Sequence, residues 1–138
     1  MAEGILRYKT EAKGMNVKID SAGIESLHVG ESPDSRAVKT ASKYGVDISK
    51  LVARQITVTD FDRFDWILVA EAQVYNEVIA LAQNENDKKK VKFIMDYLYP
   101  GRNTAVPDPY YGGIDGFEKV FDMLDKTCDA LITEFSKP

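Results

Sequence analysis

The chain has 138 residues, 44% hydrophobic and 29% charged, which supplies apolar material for one ordinary soluble domain. Its net charge of −4 lacks the basic footprint that phosphate-backbone binding needs, arguing against a nucleic-acid partner. No run of about 18 apolar residues could span a bilayer, no signal-peptide pattern opens the chain, and one cysteine beside one histidine excludes a disulfide framework and a protein zinc site. A cytoplasmic protein with no membrane, metal or cofactor is expected.

Met1 to about Ala12 has helix-forming composition with Ile5 and Leu6 apolar, but no cap precedes it, so it reads as a helix cut at its beginning. Val17-Lys18-Ile19 reads as a short strand ending at Asp20-Ser21-Ala22-Gly23. A helix is expected from Ser35 to Tyr44, opened by Pro33-Asp34 and closed by Gly45. Trp66 to Ala70 is an uninterrupted apolar run of the kind buried on both faces of a parallel sheet. Ala72 to Gln83 follows as a helix, with Val74, Val78, Ile79 and Leu81 toward the core. The Asn84-Glu85-Asn86-Asp87-Lys88-Lys89-Lys90 stretch reads as a solvated loop, and Val91 to Met95 as another strand.

The last segment carries the strongest pattern, with Phe117, Val120, Phe121, Leu124, Cys128, Leu131, Ile132 and Phe135 at spacings of three and four. Asp115 and Glu118 suggest a capping box at its start. Cys128 falls on the apolar stripe, where cysteine behaves as a small buried hydrophobe. Alternating strands and helices imply a single three-layer α/β/α domain over residues 1–138, with a parallel sheet and ligands beyond the carboxyl ends of its strands.

Val106-Pro107-Asp108-Pro109-Tyr110-Tyr111-Gly112-Gly113 has the character of a catalytic acid loop. Each proline fixes its own φ and biases the residue before it toward extended geometry, so Asp108 sits on a stiff turn. The residues alone leave Asp108 open to the role of a turn aspartate bonded to neighbouring backbone, and Tyr110 and Tyr111 to that of packed loop aromatics. His28, with no nucleophile beside it in sequence, reads as a structural or solvent-facing loop group.

Five blocks in order, Met1-Ala2-Glu3-Gly4, Asp20-Ser21-Ala22-Gly23, His28 to Ala37, Ala53-Arg54-Gln55-Ile56-Thr57 and Asp108 to Gly113, resemble the low-molecular-weight protein tyrosine phosphatases over essentially the whole chain. The resemblance implies hydrolysis of phosphotyrosine or other aryl phosphate monoesters through a phosphocysteine intermediate. Asp108 would be general acid and then base, Tyr110, Tyr111 and Leu27 would wall the substrate cleft, and Ser21 would support the site from behind. Leu27 stands where relatives often carry an aromatic, and Glu71 where an Asp is common. Paired tyrosines suit a phosphotyrosine enzyme better than the protein-arginine phosphatases of the same fold.

That family's nucleophilic loop, Cys, five residues, Arg and Ser or Thr, lies just before a segment like Met1-Ala2-Glu3-Gly4 and follows a central strand; these 138 residues contain neither. The expectation is a phosphatase truncated at its N-terminus and inactive as it stands. The alternative is a catalytically inactive phosphatase-like binding module. Without a central strand its neighbours would stand roughly 10 Å apart, leaving the Val17 and Trp66 strands to pair directly or chains to exchange elements as a swapped dimer.

Overall fold

The computed structural model describes residues 1–25, 29–107 and 113–137. Helix α1, Ala2–Ala12, buries Ile5 and Leu6 on one face, and its first intrahelical bond runs from Ile5 N–H to Met1 O at 3.0 Å with no side-chain cap. It ends where Gly14 takes φ +67°, a left-handed conformation open to a residue without Cβ. Gly4 serves a different purpose. A Cβ there would lie 2.3 Å from Ile48 Cγ2, so its bare backbone lets the Val46–Ile48 segment close on the helix.

Helix α2, Ser35–Lys43, begins as expected from Asp34, whose carboxylate accepts from Arg36 N–H at 2.8 Å. Gly45 follows at φ +81°. A single-turn helix α3, Asp60–Arg63, leads into strand β1, Ile67–Val69. Helix α4, Ala72–Leu81, crosses to a short helix α5, Glu85–Lys89, and to strand β2, Val91–Phe93. β1 and β2 are parallel, with Ile67, Leu68 and Val69 opposite Val91, Lys92 and Phe93. A 3₁₀ turn at Ile94–Tyr97 and helix α6, Gly113–Phe135, complete the described elements.

Two apolar clusters lie on the two faces of this small sheet, giving the three-layer α/β arrangement. On one face α1, α2 and α6 pack Ile5, Ala41, Ile48, Phe121, Cys128 and Leu131 together, with Leu68 and Ile94 against them. On the other, Phe61, Val69, Val78, Val91 and Phe93 form a smaller cluster, with Tyr75 stacked on Phe93 at 5.0 Å. Strand alternation explains the split, because Leu68 and Val69 point to opposite faces.

Several expectations need correction. Val17–Ile19 joins no sheet; strand character alone does not make a ladder, and the edge that would complete one lies across a cavity. The Val17 and Trp66 segments accordingly do not pair directly. Leu81 is 37% exposed, since the last turn of α4 runs past the rim of the cluster that Val78 fills. The Asn84–Lys90 stretch is not a plain loop: Asn84 caps α5 by accepting from Asp87 N–H at 2.8 Å, and Lys90 Nζ donates to Phe61 O. Glu118 is not part of a capping box, because its carboxylate accepts from Lys43 Nζ at 3.0 Å and Tyr44 Oη at 2.5 Å, tying α6 to α2.

Candidate active site

A cavity of about 680 Å³ opens between the Asn16–Ala22 run and β1. Its lining is mostly apolar, with Leu6, Ile19, Ile56, Leu68, Val78 and Leu131 among the contributors. Trp66 stands at its side, stacked on Tyr97 at 5.5 Å and edge-on to Phe135 at 4.7 Å.

Polar groups concentrate where two loops meet. Gly23 N–H donates to Arg54 O and Ile56 N–H to Gly23 O, both at 2.8 Å, a parallel bridge centred on Gly23 and Gln55. Gly30 N–H to Ala53 O at 2.8 Å and Ala53 N–H to Glu31 O at 2.9 Å fasten the same loops again. The Gly23–Pro33 and Leu51–Asp62 stretches, which follow a strand or link units in the sequence, are thus joined by backbone.

Arg54 reinforces the junction. Its Nη1 and Nη2 each donate to one oxygen of Asp60 at 3.0 Å, and its Nε donates to Asp20 Oδ2 at 3.0 Å. Asp60 also accepts from Thr57 N–H at 2.9 Å. Burial alone would raise the Asp60 carboxyl, but the Arg54 and Thr57 hydrogen bonds overcome it and hold the pKa below 3.8. The same carboxylates raise Arg54 above its ordinary value against its own desolvation, with the Asp60 hydrogen bond the largest influence. Sequence reasoning missed this clamp. The signal available was Arg54 in the Ala-Arg-Gln block, six residues ahead of an aspartate.

Ser21 is placed at the cavity beside this clamp, its N–H donated to Asp20 Oδ1 at 2.8 Å. Leu27, His28, Asp108, Tyr110 and Tyr111 lie outside the described residues. The base of the Asp108 loop is described: Val106 N–H donates to Ala70 O at 2.8 Å, so the chain enters the loop from the carboxyl end of β1. Glu71 starts α4, its carbonyl accepting from Tyr75 N–H at 2.9 Å.

Cys128 is wholly buried on α6, and desolvation pushes its thiol up to about 12. A thiol so placed is protonated at neutral pH, which agrees with the core role read from its position on the apolar stripe. Among the described residues no group of His, Cys, Asp and Glu could hold a metal, and no helix is long and apolar enough to cross a membrane.

The profile of the family described as Low molecular weight phosphotyrosine protein phosphatase matches residues 1–138. A Synechocystis protein assigned to the low molecular weight protein-tyrosine-phosphatases is 40% identical over 138 residues, covering 99% of this chain and 87% of that protein. A low molecular weight protein-tyrosine-phosphatase of Streptomyces coelicolor is 36% identical, covering 96% and 82%. In three dimensions the chain is similar to the crystal structure of a protein tyrosine phosphatase from Entamoeba histolytica with Hepes in its active site. The TM-score is 0.88 at 32% identity, over 97% of this chain and 86% of that one.

Proposed function

Because the chain belongs to the low molecular weight phosphotyrosine protein phosphatase family, we propose that it supplies the acid loop and substrate walls of an enzyme hydrolysing phosphotyrosine and other aryl phosphate monoesters. The observation that carries this reading is the Val106 N–H to Ala70 O bond. It fixes the base of the Asp108 loop at the carboxyl end of a parallel strand, the end at which α/β domains bind their ligands. The inactive-module alternative is not favoured, since the Synechocystis and Streptomyces relatives are named as phosphatases.

On this reading a cysteine thiolate attacks phosphorus, the P–O bond to the tyrosyl group breaks, and Asp108 gives its proton to the leaving phenolate oxygen. Asp108, now a carboxylate, takes a proton from water as that water attacks the phosphocysteine, and the thiolate leaves with the S–P electron pair. Tyr110, Tyr111 and Leu27 flank the aryl ring, and Ser21 steadies the phosphate loop from behind. The thiolate is not Cys128, whose burial and raised pKa disqualify it. We place the nucleophile, together with the Arg and backbone N–H groups that cradle the dianion, in a strand and loop preceding Met1. The enzyme so completed is cytoplasmic, and its partner is a phosphotyrosine-bearing protein.

The test is an assay with p-nitrophenyl phosphate at mildly acidic pH, vanadate as inhibitor and intact mass measured on the same sample. The 138-residue chain should show no turnover. Adding a strand followed by Cys, five residues, Arg and Ser before Met1 should confer vanadate-sensitive turnover, which Asp108→Asn lowers about a hundredfold or more. Turnover by the extended chain that ignores Asp108→Asn would remove Asp108 from the mechanism.

A further inference from the structure

A second cavity, of about 260 Å³, opens on a different face of α1 from the first and shares no lining residue with it. Its floor is apolar, with Ile5, Val46 and Phe121 all buried. Its rim is aromatic and acidic: Tyr8 and Tyr44 stand there half-exposed, and Asp122 and Asp125 line it from α6. A Cβ at Gly45 would come within 4.0 Å of Tyr8 Oη, so the turn carrying Tyr44 closes against Tyr8. The Tyr44 ring is already engaged, with Phe121 stacked on it at 4.6 Å and Lys43 Nζ 5.7 Å over it. Among the described residues Tyr8 has no ring, cation or hydrogen-bond partner.

The charges around this rim do not balance. Glu118, Asp122, Asp125 and Asp129 recur along α6 at spacings of four, three and four, which sets them on one stripe. Lys43 pairs with Glu118 and Lys126 with Asp122, each at 3.0 Å, and Lys9 Nζ is shared between Asp125 at 3.0 Å and Asp129 at 2.7 Å. Four carboxylates thus meet three ammonium groups. Of the two aspartates that line the cavity, Asp122 Oδ1 and Asp125 Oδ2 accept no hydrogen bond from the described residues.

The geometry points to an arginine-reading site: the cavity takes one arginine side chain of a partner protein, its stem on Ile5, Val46 and Phe121, its guanidinium on the Tyr8 ring and forked toward Asp122 and Asp125. Size argues for a single side chain, since small-molecule pockets begin at roughly 300 Å³ and this one is smaller. The acidic excess repels anions, and the apolar floor offers nothing to a hydrated metal ion, whereas arginine presents an apolar stem and a charge together. Lysine has the stem too, but its ammonium neither stacks as a plane on a ring nor forks onto carboxylate oxygens. Arginine set in a tyrosine-walled pocket is among the commoner anchors of protein interfaces. This site stands apart from the phosphatase reading, because it shares no residue with the cavity at β1 and requires no catalytic group.

The probe is an acetylated, amidated Gly-Gly-Arg-Gly-Gly peptide, titrated into the 138-residue chain and followed by amide and side-chain chemical shifts. Saturable shifts at Tyr8, Val46, Asp122 and Asp125 are expected, with a dissociation constant of about 1 mM, as suits one anchoring side chain. The same peptide with citrulline for arginine keeps the shape and loses the charge, and should bind about tenfold more weakly or worse. The lysine peptide should bind about fivefold more weakly. Raising salt from about 50 to about 500 mM should weaken the arginine peptide about threefold. Asp122→Asn and Tyr8→Ala, both at exposed positions, should each weaken it about fivefold while preserving the circular dichroism of the free chain. The proposal is overturned by the absence of saturable shifts, by equal binding of the citrulline or lysine peptide, or by shifts centred on Asp20–Gly23 instead. The citrulline control leaves the protein untouched, so it decides the matter even if a variant fails to fold.

Discussion

The helical side and the sheet side of the molecule use the same residue types, yet only one of them is complete. Around α6, Ile5, Ile48, Phe121, Cys128 and Leu131 come from helices and a loop whose backbone bonds are largely internal, so side-chain packing alone closes the cluster. Around β1 and β2, Phe61, Val69, Val78, Val91 and Phe93 are as apolar, but a strand satisfies its backbone only through neighbours and β1 has one among the described residues. Helices can finish a core unaided, whereas strands finish it only in company.

The largest effect expected from sharpening that contrast is Phe61→Ala. It deletes the most deeply buried side chain of the smaller cluster, 1% exposed, and should cost about 4 kcal/mol in urea unfolding. Exchange at Val69, Val91 and Phe93 should quicken ahead of exchange in α6; equal acceleration in both would erase the distinction between the two sides.

Next comes Arg54→Met, which strands a buried carboxylate at Asp60 and should cost about 3 kcal/mol, somewhat less than a fully enclosed pair because Arg54 is 31% exposed. The sign of the pH dependence follows from Asp60. Its folded pKa lies below 3.8, so its stabilising contribution is present above that value and is lost as pH falls through the folded pKa. Wild-type stability should therefore decline below about pH 4, and part of that decline should vanish in Arg54→Met. A variant with the unaltered acid profile would show that the clamp does not set it.

Gly4→Ala is a stringent test of the helical side. Helix propensity alone would favour it, but the new Cβ meets Ile48 at 2.3 Å, and overpacking should leave the variant about 2 kcal/mol less stable. A raised melting temperature would mean that Ile48 yields easily and that the helical core is looser than its packing implies. The smallest effect is Asn84→Ala, which removes the α5 cap and should cost about 1 kcal/mol by thermal denaturation.

Sequence pattern revealed the long helices well, because a period of three and four along Phe117–Phe135 is written within one segment, whereas the one-turn α3 and the short α5 are too brief to carry a period. β1 and β2 were legible as apolar runs. The Val17–Ile19 expectation failed because ladder membership depends on a partner segment, and local composition carries no record of one. Glu118 went astray for a similar reason: its partners, Lys43 and Tyr44, lie more than seventy residues away. Of the candidate site, the two facing loops were visible through short residue blocks. The Arg54 clamp was not, since its bidentate geometry with Asp60 and its reach to Asp20 exist only once the loops have met.

The fastening of α1 to α6 bears on how the molecule comes into being. Lys9 Nζ lies 3.0 Å from Asp125 and 2.7 Å from Asp129, partners some 120 residues further along the chain. During synthesis, α1 leaves the ribosome with its apolar face uncovered; the Val46–Ile48 segment can cover part of it early, but the part that α6 covers waits until nearly all the chain has followed. The β1–α4–β2 unit closes over a short loop and has no such wait. Contact order therefore makes the better-packed side the later one to assemble, and the interval is when Ile5 and Leu6 are most open to aggregation.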